Sequence, residues 1–268
     1  MSDFLDQMGR SSRRRAQAVR LEDCRVDGST PPTVRPLVLS GFDLIAEVKL
    51  SAPSVGVIQA PTDPIAAVVA QAQAYAVGGA AAISVLTEPD RFGGHMDHLR
   101  AVSRAVDIPV MRKDFVVDPI QVYEARAAGA SGVLLILAML DDPQLSACLK
   151  AASTQGLFVL LEAFDAQELD RAAAFVGPGV LLGLNCRDLR TLEVQPGRLE
   201  ALSTRFPPGA PRVAESGLST PEDAARLAAA GYQAALVGTA LMRAADPAAL
   251  TAEILAAGRG KEDRCAHG

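Results

Sequence analysis

Four apolar runs in this chain end in residues that move protons or hold anions. Ile45-Ala-Glu-Val-Lys49 delivers Glu47 and Lys49, and Pro109-Val-Met-Arg-Lys-Asp-Phe115 delivers Lys113. Val159-Leu-Leu-Glu162 delivers Glu162, and Leu181-Leu-Gly-Leu-Asn-Cys-Arg187 delivers Asn185 and Arg187. A buried strand gains nothing from an ionisable residue at its end, because a desolvated charge loses its hydration. Several such endings in one chain point to convergence on one site. Two later runs add Glu215 with Ser216, and Gly238 with Thr239. Two lysines, three glutamates and an arginine in one mouth perturb each other's protonation, as acid–base chemistry requires. On spacing alone, an ion-pair network tying strand ends together stays open as the alternative.

Two stretches read as an anion site. Glu215-Ser-Gly-Leu218 and Val237-Gly-Thr-Ala240 close the last two runs. In parallel barrels a phosphate sits between these loops, at the start of a short extra helix. Glycine lets backbone N–H groups approach the anion, and the helix dipole favours negative charge. Thr239-Ala-Leu-Met-Arg243 is the candidate short helix. Phe92 and Phe115 follow the second and third runs and read as either an apolar wall for an aromatic ligand or core residues.

These residues need elements to position them. Eight apolar runs lie near Asp43–Lys49, Ala81–Leu86, Val110–Lys113, Gly132–Leu137, Leu157–Glu162, Leu181–Asn185, Arg212–Glu215 and Ala234–Gly238. Their ends fall roughly 23 to 37 residues apart, the length of a strand, a loop and a helix. Asp118-Pro119 opens an amphipathic stretch that stops at Gly129, and Thr220-Pro221 opens one that stops at Gly231. A capping residue, proline in the first turn and a terminal glycine are helix boundaries. The pattern predicts an α/β fold, a (β/α)8 TIM barrel over 41–258. Residues 1–40 read as an N-terminal helical extension and connector that covers one barrel end, and 259–268 as a polar tail. Arg13-Arg-Arg15 reads as a solvated helix face.

Composition excludes several classes. The 268 residues are 49% hydrophobic, enough for a large core. The net charge of -5 disfavours nucleic acid as a partner. Cys24, Cys148, Cys186 and Cys265 show no metal-ligand spacing and read as reduced thiols. His95, His98 and His267 give no metal signature, so no metal is expected. No apolar run reads as a secretion signal or approaches the ~20 residues that cross a bilayer. A cytoplasmic protein without membrane or nucleic-acid partners is expected, and a monomer, since no apolar stripe is left over.

Taken together, these motifs resemble the indole-3-glycerol phosphate synthase family. The likeness runs over about residues 40 to 250. It rests on Ala46-Glu-Val-Lys49 with Pro53-Ser54 and Gly56, Ile83-Ser-Val-Leu-Thr-Glu-Pro89, and Arg112-Lys-Asp-Phe115 with Gln121-Val-Tyr-Glu-Ala-Arg126. Leu161-Glu162, Asn185-Cys-Arg-Asp-Leu189, Glu215-Ser-Gly217, and Val237-Gly238 with Leu241-Met-Arg243 follow in order.

The resemblance implies ring closure of 1-(2-carboxyphenylamino)-1-deoxyribulose 5-phosphate with loss of carbon dioxide and water, needing no redox or metal cofactor. It implies Lys113 as general acid and Glu162 as acid/base for dehydration. Lys49 would hold substrate anions, with Glu47 and Glu215 tuning the lysines. Asn185 and Arg187 would orient the substrate. Ser54, Ser216, Gly217, Gly238 and Thr239 would hold its anionic groups, and Phe92 and Phe115 its ring. A lysine acid is expected to have its pKa drawn down by burial or a neighbouring cation.

Three positions depart from the family pattern. Ala52 stands where a serine is usual, Cys186 where a second asparagine is common, and Phe164 where a histidine is common. They leave open an ordinary pathway enzyme with drift or a specialised-pathway paralogue; a non-catalytic phosphate-binding barrel is a separate alternative, against which both lysines and all three glutamates argue. A sister phosphate-binding isomerase barrel would be expected to use a cysteine–aspartate pair, which the pairing of Lys113 with Glu162 argues against.

Overall fold

A computed structural model describes residues 4–22, 24, 33–53, 56–189 and 192–260. The eight predicted runs are eight parallel strands of one closed barrel. They are β1 (Asp43–Val48), β2 (Ala82–Leu86), β3 (Val110–Lys113), β4 (Gly132–Ile136), β5 (Phe158–Ala163), β6 (Val180–Asn185), β7 (Arg212–Glu215) and β8 (Ala234–Val237). Each strand pairs with its sequence neighbours, and β8 closes onto β1 through Asp43 opposite Ala234.

Alternation along the strands builds two cores. One face of each strand points into the barrel, where Ile45, Met111, Leu134, Phe158, Leu160, Val213 and Leu236 pack together. The other face, with Leu44, Ala46, Val85, Leu135, Val159, Leu161 and Leu182, packs under the helices. Both faces are buried, so the runs read as continuously apolar rather than alternating. Gly132 lies under the Phe158 ring, and a Cβ there would strike it.

The helices are α1 (Phe4–Ala18), α2 (Pro64–Val77), α3 (Pro89–Phe92), α4 (Met96–Ala105), α5 (Pro119–Ala127) and α6 (Asp142–Thr154). They continue as α7 (Ala166–Ala172), α8 (Arg198–Ala201), α9 (Pro221–Ala229), α10 (Thr239–Arg243) and α11 (Pro247–Gly258). The two predicted helix starts are both capping boxes. Asp118 accepts from Ile120 N–H while Gln121 reaches back, and Thr220 and Asp223 do the same for α9. Gly129 and Gly231 follow these helices at φ +94° and +91°, a turn that favours glycine.

The N-terminal segment covers both barrel ends rather than one. Helix α1 packs at the strand C-termini, where Phe4 meets Phe115 and Gln121 donates to Ser12 Oγ. Residues 33–42 pass the opposite end. There Arg35 N–H donates to Ser131 Oγ just ahead of β4, and Leu37 and Leu39 pack on the inner core. The solvated-face expectation for Arg13-Arg-Arg15 holds for Arg13 and Arg14 and fails for Arg15. The helix turns by about 100° per residue, which swings Arg15 toward the barrel, where its guanidinium pairs with the buried Asp114.

At the other terminus Arg259 is tied to the barrel. It donates to Asp43 Oδ1 at 2.5 Å and to the Phe42 carbonyl at 3.2 Å. Cys265 and His267 lie outside the described residues. Among the described residues no helix is long and apolar enough to cross a membrane.

Candidate active site

The period of two that builds the inner core also delivers the charges. Glu47 follows Ile45 on the inner face, Lys113 follows Met111, Glu162 follows Leu160, Asn185 follows Gly183, and Glu215 follows Val213. All five sit at strand C-termini and share one mouth. A cavity of about 330 Å³ opens there, lined among others by Glu47, Lys49, Lys113, Asn185, Arg187 and Glu215.

Lys113 is the hub. Its Nζ lies 3.8 Å from Glu47 Oε2 and 3.9 Å from Glu162 Oε2. Lys49 Nζ donates to Glu47 Oε1 at 2.5 Å. Asn185 Nδ2 donates to Glu162 Oε1 at 3.1 Å, while Asn185 Oδ1 accepts from Arg187 N–H at 2.9 Å. The second bond fixes which way the amide faces, so Asn185 presents a donor to Glu162. Glycines make room: a Cβ at Gly238 would strike Glu47 and come within 3.0 Å of Lys49 Nζ, and one at Gly183 would strike Glu215.

Protonation departs from the expectation in one respect. Burial by itself would lower the Lys113 ammonium, but Glu162, Glu47 and Glu215 outweigh it and hold its pKa above the ordinary lysine value. Carboxylates beside the ammonium, Glu162 and then Glu47 foremost, are the reason the predicted decrease does not occur. Burial raises Glu47, yet Lys49 and Lys113 reverse this and leave it below the usual carboxylate range. Glu215 goes the other way. Burial and then the charge of Glu162 push it well above that range, against the pull of Lys113.

The residue after Lys113 is held by a separate network. Asp114 accepts from Arg15 Nη1 and Nη2 at 2.8 Å each, from Thr87 Oγ1 at 2.7 Å, from Arg112 Nη2 at 3.0 Å and from Phe115 N–H at 2.8 Å. Arg112, 1% exposed, also bonds Glu124 Oε2 at 2.7 Å and the Gln121 carbonyl at 2.9 Å. The sequence does not mark Thr87, Arg112, Asp114 and Arg15 as site residues, because nothing in a linear chain says that they meet.

Apolar residues face the charges. Phe92 and Phe115 line the cavity, with ring centres 6.0 Å apart. Phe4 joins them edge-on at 6.5 and 5.9 Å, so α1 backs the wall with a ring the sequence does not single out. The loop after β6 brings Leu189, Leu192 and Val194 to the same cavity. It is folded back by the Arg187–Val194 bridge and by Arg187 Nη1 donating to the Leu192 carbonyl at 2.9 Å. Arg187 therefore shapes this loop as well as lining the cavity.

The family model for indole-3-glycerol phosphate synthase matches residues 36–254. The chain belongs to the indole-3-glycerol phosphate synthase family. A synthase of that name from Parafrankia sp. (strain EAN1pec) is 45% identical over 84% of this chain and 81% of its own length. One from Azospirillum brasilense is 46% identical over 80% of each. Among solved structures, a 3-hexulose-6-phosphate synthase superposes with a TM-score of 0.63 at 21% identity, over 81% of this chain and 99% of that one. At that identity the likeness shows the shared barrel alone.

The three departures from the synthase pattern can now be located. Ala52 is buried in a small hairpin (Ser51–Ala52 with Gly56–Val57) and lines the cavity. The neighbouring Ser51 hydroxyl lies 3.4 Å from the Arg91 carbonyl. Ser54 lies outside the described residues. Cys186 is buried with Sγ against Gly217, and burial raises its thiol pKa. Phe164 is fully buried and its N–H donates to Glu168. Cys186 and Phe164 thus sit behind the cavity wall.

Ser216 and Gly217 both take left-handed backbone, at φ +63° and +76°. No side chain caps α10, whose first residues Thr239 and Ala240 line the cavity with Gly238 and Gly217. No group of three or more His, Cys, Asp or Glu among the described residues is arranged to hold a metal ion.

Proposed function

We propose that this member of the family closes the indole ring of 1-(2-carboxyphenylamino)-1-deoxyribulose 5-phosphate, releasing carbon dioxide, water and indole-3-glycerol phosphate. The observation that carries the reading is the Lys113 ammonium held between Glu47 and Glu162 at 3.8 and 3.9 Å. It stands between an aromatic wall and a glycine-lined rim.

Lys113 is the general acid. The ring carbon bearing the carboxylate attacks the ketone carbon, and the carbonyl π pair moves to oxygen and takes the Lys113 proton. The raised pKa is no obstacle, because a developing alkoxide is far more basic than an amine. It also keeps the acid loaded at neutral pH. Carbon dioxide then leaves and its bonding pair restores the aromatic ring.

Glu162 serves as acid/base in the dehydration, oriented by Asn185. Lys49, anchored by Glu47, holds a substrate anionic group. Phe92 and Phe115 pack the anthranilate ring, Arg187 orients the substrate, Gly217, Gly238 and Thr239 hold the phosphate with Ser216 beside them, and Ser54 binds a substrate anionic group. Residues 41–258 form the catalytic domain, with 1–40 and 259–268 as appended segments, in a cytoplasmic monomer with no cofactor, nucleic-acid or membrane partner.

The test is to add this substrate to purified protein without metal and follow indole fluorescence. A rapid rise is expected. Bound ligand with no rise would sink the proposal and turn attention to Ala52 and to a non-catalytic barrel.

A further inference from the structure

The charges on the mouth floor do not balance. Glu47, Glu162 and Glu215 face two ammonium groups, Lys49 and Lys113, so three full carboxylates would leave one buried negative charge uncompensated. An uncompensated buried charge is costly, and a carboxyl in that position takes up a proton instead. The hydrogen bonds identify which one. Glu47 has Lys49 on one oxygen and Lys113 near the other. Glu162 has Asn185 on Oε1. Its Oε2 and both oxygens of Glu215 are closed to solvent, and no protein donor reaches them.

One proton held between Glu215 and Glu162 Oε2 gives a partner to two of these three oxygens. Between two carboxylates no hydrogen bond is possible, since both only accept; one proton makes one of them a donor. Glu162 stands opposite Gly183 in the β5–β6 ladder, and Glu215 Oε1 fills the space above Gly183, so the two carboxyls are neighbours. That glycine leaves Glu215 room to reach inward. The charged groups facing Glu215 are Glu162, Lys113 and Glu47.

We propose that Glu215 carries a proton in the resting enzyme and shares it with Glu162, so that the two carboxyls act as one acid–base pair in the dehydration. The proposal rests on the reaction assigned above. After decarboxylation, the ring carbon that was the ketone carbon bears a hydroxyl and adjoins a CH2 group. The C–O bond breaks with its electron pair going to oxygen. Glu215 passes its proton to Glu162, which delivers it to the departing oxygen and makes it water. The CH2 group then loses a proton to the pair while its C–H electrons become the new C=C bond. The pair starts and finishes with one proton, so no outside acid or base is consumed. Glu215 acts through Glu162, as the holder of its proton.

Infrared difference spectroscopy on the whole enzyme reads this proton directly. At neutral pH the wild type should show a protonated-carboxyl C=O stretch that shifts in D2O. Glu215→Gln, which copies the shape of the neutral acid, should lose it. In single turnovers Glu215→Gln should release carbon dioxide near the wild-type rate while indole formation slows about 100-fold or more. A wild type without the band, a band that survives Glu215→Gln, or carbon dioxide and indole slowing together would each overturn the proposal. If the wild type made no indole product, the assigned function would fail, yet the infrared band would still decide where the proton sits.

Discussion

Two clusters of buried charge lie side by side at the strand ends, and they are built on opposite rules. Asp114 is saturated by donors from Arg15, Arg112, Thr87 and the Phe115 backbone. One residue away, Lys113 faces carboxyls at 3.8 and 3.9 Å, and Glu215 meets no protein donor. Asp114 is accordingly driven far below the usual carboxylate range. Burial would raise it, but Arg112 and Arg15 prevail. Burial and Glu162 drive Glu215 far above it. A satisfied network holds a structure in place, whereas an under-satisfied one leaves groups able to exchange protons with a ligand. The loop order ties the two together, since Asp114 anchors the backbone that presents Lys113.

The contrast breaks most decisively at its centre. Lys113→Ala should lower kcat by about 10²–10⁴-fold with the fold intact, read by indole fluorescence beside circular dichroism. Persisting turnover would remove Lys113 from its assigned role. Asp114→Asn should act on stability instead. It takes the carboxylate from between Arg15 and Arg112 and leaves Arg112 only that of Glu124, at about 3 kcal/mol, measured by denaturant titration.

The pH dependence of stability sharpens the comparison, because the two carboxyls have opposite signs. Asp114 is depressed in the folded state. Its contribution is present above the unfolded value of about 3.9 and is lost as pH falls toward the depressed one. The gap between wild type and Asp114→Asn should therefore narrow on acidification below about pH 4. Glu215 is raised. Below about pH 4.3 it costs nothing, and as pH rises above that the unfolded state alone releases the proton, so the folded state loses ground. Glu215→Gln should melt higher than wild type at pH 7 and converge with it near pH 4. Equal melting temperatures across that range would contradict a protonated Glu215. The smallest effect belongs to Arg15→Ala. Arg15 is partly exposed and Arg112 remains on Asp114, so the loss should be roughly 1–2 kcal/mol. Calorimetry would reveal a larger role if the loss matched that of Asp114→Asn.

Much of the barrel and its mouth is legible in the chain. Apolar runs at strand–helix spacing, each opened or closed by Pro, Gly, Asp or Thr, specify eight strands because local rules set where elements begin and end. Glu47, Lys113, Glu162, Asn185 and Glu215 are legible as convergent, because a polar or ionisable group at the end of a buried run is costly unless it meets a partner there. Phe4, Arg15, Thr87 and the loop leucines Leu189 and Leu192 carry no such mark. Each is unremarkable in its own stretch and acquires a role only through a partner distant in sequence, as Arg15 does through Asp114.

By itself, then, the sequence determined the repeat, the two marked helix starts and the set of groups gathered at one mouth. Only the tertiary structure decided how those groups share protons. The chain alone leads one to expect a lowered pKa for Lys113, and the folded protein raises it, because protonation depends on distances to every neighbouring charge. The sequence supplies the neighbours, and folding supplies the distances and the exclusion of water that set their strength.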